Sequence, residues 1–184
     1  MLDICLPLIG ASPDDPEKAV LDLYRYKTGR YTFSLPLAVG STLGGAGEDV
    51  LDLLDTLGED LGILFQLKDD EMGLFGDEVE TGKPVGTDIR EGKKTLFHLY
   101  LFEAAGPDER VRLQEIFGNR EADEKQIRMV LDAITANGVR EKVRQTAAGF
   151  ADKAGAAVKK FHGIDPGRKR LLEELIDYNI NRTR

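Results

Sequence analysis

Gln66, Asp69 and Asp70 stand at i, i+3 and i+4, a spacing that brings three side chains to one side of a helix. Two carboxylates and a carboxamide so placed offer hard oxygen donors. They suit Mg²⁺, above all when the ion is already bridged to phosphate. Glu71 adds charge but is expected to point elsewhere. Downstream, Lys83, Asp88, Lys93 and Lys94 gather in a glycine-rich stretch, and upstream Lys27-Thr28 falls at an expected helix break. Together they suggest acidic groups that hold a metal and lysines that hold a diphosphate as point charges.

Blander roles compete for the same residues. With 33 acidic residues in 184, an Asp pair at a helix end arises readily by chance as a solvated terminus. Carboxylates are, however, disfavoured at the negative end of a helix dipole unless a cation is near. Gly76 and Gly82 enclose five residues and Pro84 follows Lys83, so the phosphate loop that ends in Gly-Lys-Ser/Thr is excluded. No calcium-loop pattern starts at Asp69-Asp70-Glu71. His98 and His162 have no cysteine partner and read as packing or surface residues, and Cys5 reads as apolar filler. Phe97, Tyr100, Leu101 and Phe102 suit a core or a subunit interface, while Arg182 and Arg184 suit either a phosphate contact or a frayed tail.

The elements that must position these groups are helical, because apolar residues recur at three- and four-residue steps and strand-like alternation is nearly absent. A short helix is expected at Leu2 to Ile9 and another from about Pro16 to Lys27, breaking at Thr28-Gly29. Pro36 should bend or interrupt the next segment, Arg30 to Leu43. From Glu48 to Asp70 a wide apolar stripe marks a central helix, with Gly58 and Gly62 permitting close approach of a neighbour. Gly73 to Gly92 reads as a long loop, and shorter helices are expected near Thr95 to Ala105 and Asp108 to Phe117. Asp123 to Ala136, Val139 to Phe161 and a last helix announced by Asp165-Pro166 complete a single domain.

Composition bounds the partners. The formal charge of 25 − 33 = −8, without a basic stripe, disfavours nucleic acid. No transmembrane run and a single cysteine lead to the expectation of a cytoplasmic protein.

The run from Gly62 to Asp77, GILFQLKDDEMGLFGD, followed by Thr81 to Thr95, TGKPVGTDIREGKKT, resembles the second aspartate-rich region of the trans-type polyprenyl diphosphate synthases. Tyr26-Lys27-Thr28-Gly29-Arg30-Tyr31 and the residues after it resemble the lysine–threonine helix break of that family. The resemblance extends along essentially the whole chain, is strongest over residues 24–95, and has the flavour of farnesyl and geranylgeranyl diphosphate synthases. It departs from the family at Gly73, where many members carry the last aspartate of Asp-Asp-x-x-Asp. The family's first aspartate-rich motif, its paired arginines and its isopentenyl-binding residues find no counterpart in residues 1–26, where Asp14-Asp15 is an unrelated turn. The chain is therefore expected to be the C-terminal portion only, an all-α isoprenoid synthase-type helical bundle represented by roughly its C-terminal half.

What the resemblance implies is a Mg²⁺-dependent prenyltransferase that condenses an allylic diphosphate with isopentenyl diphosphate to a short-chain farnesyl or geranylgeranyl product. Asp69 and Asp70 would bind Mg²⁺ on the allylic diphosphate, and Gln66 would orient that assembly. Lys27, Lys83 and Lys93 would hold diphosphate, Thr28 would lie near the developing carbocation through its backbone, and Asp88 would act one step behind these groups. The 184-residue chain alone need not be active. With half of a helical cup gone, apolar faces of the Glu48 to Asp70 helix should be exposed or covered by another copy, so a homodimer is expected. The alternatives are a non-catalytic synthase-like subunit or helical interaction module, and a diphosphate hydrolase, for which no general base is evident.

Overall fold

The computed structural model describes residues 15–77 and 84–183, and every regular element among them is helical. The expected helix at residues 2–9, Cys5, Lys83 and Arg184 lie outside the described residues. The described residues form two compact units, one of residues 15–68 and 146–182, the other of residues 69–77, 84–145 and 183.

In the first unit, α1 (Pro16–Tyr24) starts at Asp15, whose carboxylate accepts the Lys18 N–H at 2.9 Å, with Pro16 in the first turn where no donor is needed. The expected break at Thr28-Gly29 does not occur. The chain continues as a π-helix, Arg25–Ser34, and then as α2, Leu35–Leu43. Tyr24, Ser34 and Leu35 keep right-handed helical angles, and the Leu35 N–H bonds the Arg30 carbonyl five residues back. Pro36 lies in the first turn of α2 rather than interrupting a ladder. The physical reason is that a widened turn keeps the direction of the chain while the proline's missing donor falls where a new ladder begins.

Next comes α3 (Glu48–Phe75), one continuous helix that extends past the expected Asp70. Its Leu54, Leu57 and Leu61 form a core with Ala154, Ala157 and Val158 of α8 (Val139–Lys159), with Phe161, and with Ile176 of α9 (Pro166–Asn181). Each fully buried leucine contributes about 1.5–3 kcal/mol relative to exposure. The stripe expected to be left open on α3 is thus filled by its own chain. The exposed row lies elsewhere: Tyr31, Leu35, Val39 and Leu43, four apart, are all half or more exposed.

The second unit holds the last turns of α3, the single turn α4 (Thr87–Arg90), α5 (Leu96–Ala104), α6 (Pro107–Ile116), α7 (Glu124–Ala136) and the start of α8. Thr95 caps α5, and Asp123 with Gln126 forms a reciprocal capping box at the start of α7, which packs on α5 and α6. The expected loop from Gly73 to Gly92 is shortened at both ends: α3 runs to Phe75 and Thr87–Arg90 is helical. Among the described residues no helix is long and apolar enough to cross a membrane.

Candidate active site

Thr28 is buried in the π-helix, and its hydroxyl donates to Oε1 of buried Gln66 at 3.1 Å. Glycine makes this approach possible. A Cβ on Gly62 would stand 2.1 Å from the Cα of Gly29, and one on Gly58 would stand 2.5–2.6 Å from Ser34, distances that no side chain tolerates. Backbone therefore packs on backbone, and the Ser34 hydroxyl donates to the Asp55 carbonyl at 3.0 Å. Lys27, on the same wide turn, is exposed. Arg182 is not a frayed tail: its guanidinium lies 3.7 Å over the Phe65 ring and donates to the Phe65 carbonyl at 2.9 Å, next to Gln66.

In the second unit Asp69 is half-buried and Asp70 is buried. Glu71, expected to point elsewhere, is buried and accepts from Arg140 Nε at 3.1 Å and Arg144 Nε at 2.6 Å, with Arg140 also lying 4.1 Å over Phe75. Two guanidinium partners offset the cost of burying that charge. Asp88 pairs with Lys93, which also reaches Glu91 at 3.3 Å. Burial pulls the Lys93 ammonium down, but its bonds and charges with Asp88 and then Glu91 outweigh that, and its pKa lies above the ordinary lysine value. The glycine at the fifth place of the acidic stretch has a use: a Cβ there would stand 3.2 Å from Asp88 Oδ2. Gly73 leaves the room into which the Asp88 carboxylate leans.

His98 is packed between Phe102, with ring centroids 4.5 Å apart, and Phe117, edge-on at 5.0 Å. Burial, and then the charge of Lys94, lowers its pKa to about 4. Among the described residues no group of three or more His, Cys, Asp or Glu is arranged to hold a metal ion. The structure thus brings Thr28 to Gln66 and Lys93 to Asp88, and commits Glu71 to two arginines. Sequence reasoning missed Arg140 and Arg144, which lie 69 and 73 residues from Glu71 and carry no local signal.

The Polyprenyl synthetase family model matches residues 8–134. The chain belongs to the polyprenyl synthetase family. A geranylfarnesyl diphosphate synthase of Aeropyrum pernix is 31% identical over 164 residues, which are 89% of this chain and 50% of that protein. Among solved structures, a polyprenyl synthetase fold close to this one is the geranylgeranyl pyrophosphate synthase of Corynebacterium glutamicum, complexed with isoprenyl diphosphate and magnesium. It has a TM-score of 0.85 and 31% identity over 98% of this chain and 50% of that one. A polyprenyl synthase of Caulobacter crescentus, complexed with calcium and isoprenyl diphosphate, has a TM-score of 0.85 and 29% identity over 100% of this chain and 55% of that one. The chain spans about half the length of the curated relatives it matches.

These findings correct the expectation of a C-terminal portion only and of a bundle represented by roughly its C-terminal half. The family model matches most of the chain, and the two synthase structures follow 98–100% of it. The likeness belongs to the all-α isoprenoid-synthase bundle along the entire chain. That expectation leaned on missing polar site residues, the first aspartate-rich motif, the paired arginines and the isopentenyl-binding residues, whereas fold likeness is carried by the buried apolar and glycine positions of every helix.

Proposed function

We propose that this chain serves Mg²⁺-dependent prenyl transfer, the condensation of an allylic diphosphate with isopentenyl diphosphate to a short-chain farnesyl or geranylgeranyl diphosphate. The observation that carries this reading is the buried Thr28–Gln66 hydrogen bond at the wide turn. It ties the Lys27-Thr28 pair to the helix on which Asp69 and Asp70 follow Gln66 at i+3 and i+4. Two carboxylates suit Mg²⁺, which keeps several waters and takes its remaining ligands from substrate phosphate. The magnesium in the related Corynebacterium glutamicum complex supports the choice of ion.

In this reading Asp69 and Asp70 hold the ion, which when bound neutralises charge on the departing diphosphate. Gln66, kept in place by the Thr28 hydroxyl, orients the group; Lys27, Lys83 and Lys93 bind diphosphate; Asp88 holds Lys93. The test is binding of inorganic pyrophosphate in excess Mg²⁺ by the full chain, followed by Mg²⁺-dependent incorporation of isopentenyl diphosphate into an allylic primer. Asp69→Ala with Asp70→Ala should weaken pyrophosphate binding by at least about tenfold. Unchanged binding would overturn the assignment.

A non-catalytic synthase-like subunit or interaction module is the second reading, favoured by the exposed row Tyr31, Leu35, Val39 and Leu43. A second copy of the chain is the proposed cover for that row. Prenyl product from the purified chain excludes the non-catalytic reading. A stable 20 kDa monomer at micromolar concentration in sedimentation counts against the homodimer.

A further inference from the structure

A ten-residue π-helix is a costly winding, seldom seen beyond a single bulge, and here it carries the Lys27-Thr28 pair. Something must hold it. The α3 helix meets it at Asp55, Gly58, Glu59, Gly62 and Gln66, positions that recur on one face at steps of three and four. Glycines supply the close approach, but sterics alone do not choose between α and π winding. Glu59 adds charge to this contact.

One Glu59 oxygen lies 2.8 Å from Arg25 Nε as an ion pair without a formed hydrogen bond, Arg25 donating instead to Asp22; the other accepts from Arg30 Nε at 2.9 Å and lies 2.9 Å from Arg30 Nη2. The two arginines are five residues apart. In an α-helix that separation turns side chains by about 140°, too far for one carboxylate to hold both closely. In a winding whose hydrogen bonds close every five residues, fewer degrees separate successive residues and the two side chains come nearer to the same side. The same carboxylate raises the Arg30 guanidinium above its ordinary pKa. The pinned turn presses close to Glu59 itself, since a Cβ on Gly29 would stand 3.2 Å from the Glu59 Cα. Glu59 is also less exposed than either arginine, so water screens the pair less than an open surface bridge.

We propose that Glu59 is a positioning residue whose Arg25–Glu59–Arg30 clamp holds residues 25–34 in the wide winding that presents Lys27 and Thr28. The inference rests on the reading of Lys27 and Thr28 as diphosphate-site residues, and its test separates the two. Amide hydrogen exchange at residues 29–34 of the full chain is measured beside the affinity for inorganic pyrophosphate in excess Mg²⁺. Glu59→Gln keeps the shape and removes the charge. Exchange there should rise at least about tenfold relative to α7, and pyrophosphate affinity should fall about five- to tenfold. Glu59→Asp should recover part of both changes. Arg30→Gln should reproduce them from the half-exposed side, with the double variant no worse than either single one.

Unchanged exchange in Glu59→Gln and Arg30→Gln overturns the clamp. Faster exchange with unchanged pyrophosphate affinity overturns the positioning role and leaves Glu59 a structural anchor. A wild-type chain that binds no pyrophosphate is a failure of the diphosphate reading instead, and the exchange data then still decide whether the clamp exists.

Discussion

Two stretches carry the candidate site, and different forces hold them. Residues 25–34 are seated on α3 by backbone contact through Gly29, Gly58 and Gly62, with the Glu59 clamp and one buried hydrogen bond added. Residues 69–77 and 84–95 carry ion pairs as their side-chain ties, with Glu71 on Arg140 and Arg144 and Asp88 on Lys93. Close packing is short-ranged and indifferent to salt, yet a single added methyl disrupts it. Ion pairs tolerate small changes of shape but respond to salt and protons. The first stretch is therefore vulnerable to added volume as well as to loss of the Glu59 charge, and the second chiefly to solution conditions.

The sharpest way to break that contrast is Gly62→Ala. Its Cβ would meet Gly29 Cα at 2.1 Å, so urea unfolding should show a loss of about 3 kcal/mol despite alanine's better helix propensity. Gly40→Ala in α2 meets nothing within 4 Å and should stabilise the chain by about 0.5–1 kcal/mol. Equal effects from the two alanines would show that backbone contact is not what seats the turn.

His98 tests the second unit with protons. Its folded pKa of about 4 lies below the ordinary 6.5, so between these values the unfolded chain takes up the proton first. The neutral ring's contribution is complete above about pH 6.5 and is lost as pH falls toward 4. Discounted for partial exposure, that loss is about 1–2 kcal/mol. Urea midpoints at pH 7 and pH 4.5 should record it, and His98→Phe should remove the difference. The smallest effect is expected at Lys93→Gln, a loss of about 0.5–1 kcal/mol at low salt that vanishes in 1 M NaCl. A salt-independent loss would mean that packing, not charge, holds Asp88.

Much of this was legible beforehand because it is written locally. Asp123 three residues before Gln126, Asp165 before Pro166, and apolar steps of three and four mark helices by groups that act within a turn or two. The acidic pair after Gln66 and the lysines of the glycine-rich stretch stood out by type and spacing. At Thr28-Gly29 the sequence signals a break where the structure has a wide winding, because a glycine of low helix propensity marks an interruption of the α ladder without saying whether the chain leaves the helix or only widens it.

By itself, then, the sequence determined that the described residues are helical and where most of their helices begin and end, and it offered the acidic and basic side chains on which the proposed metal and diphosphate chemistry rests. Only the tertiary structure decided that the turn at Thr28 widens instead of breaking, that Glu71 belongs to two arginines, and that Asp88 leans into the space left by Gly73. It also decided that the exposed apolar row lies at Tyr31 to Leu43 and not on α3. Caps and periodicity act over one or two turns, whereas Thr28–Gln66, Arg30–Glu59 and Glu71–Arg144 join residues 38, 29 and 73 apart, pairs that meet only once helices have packed.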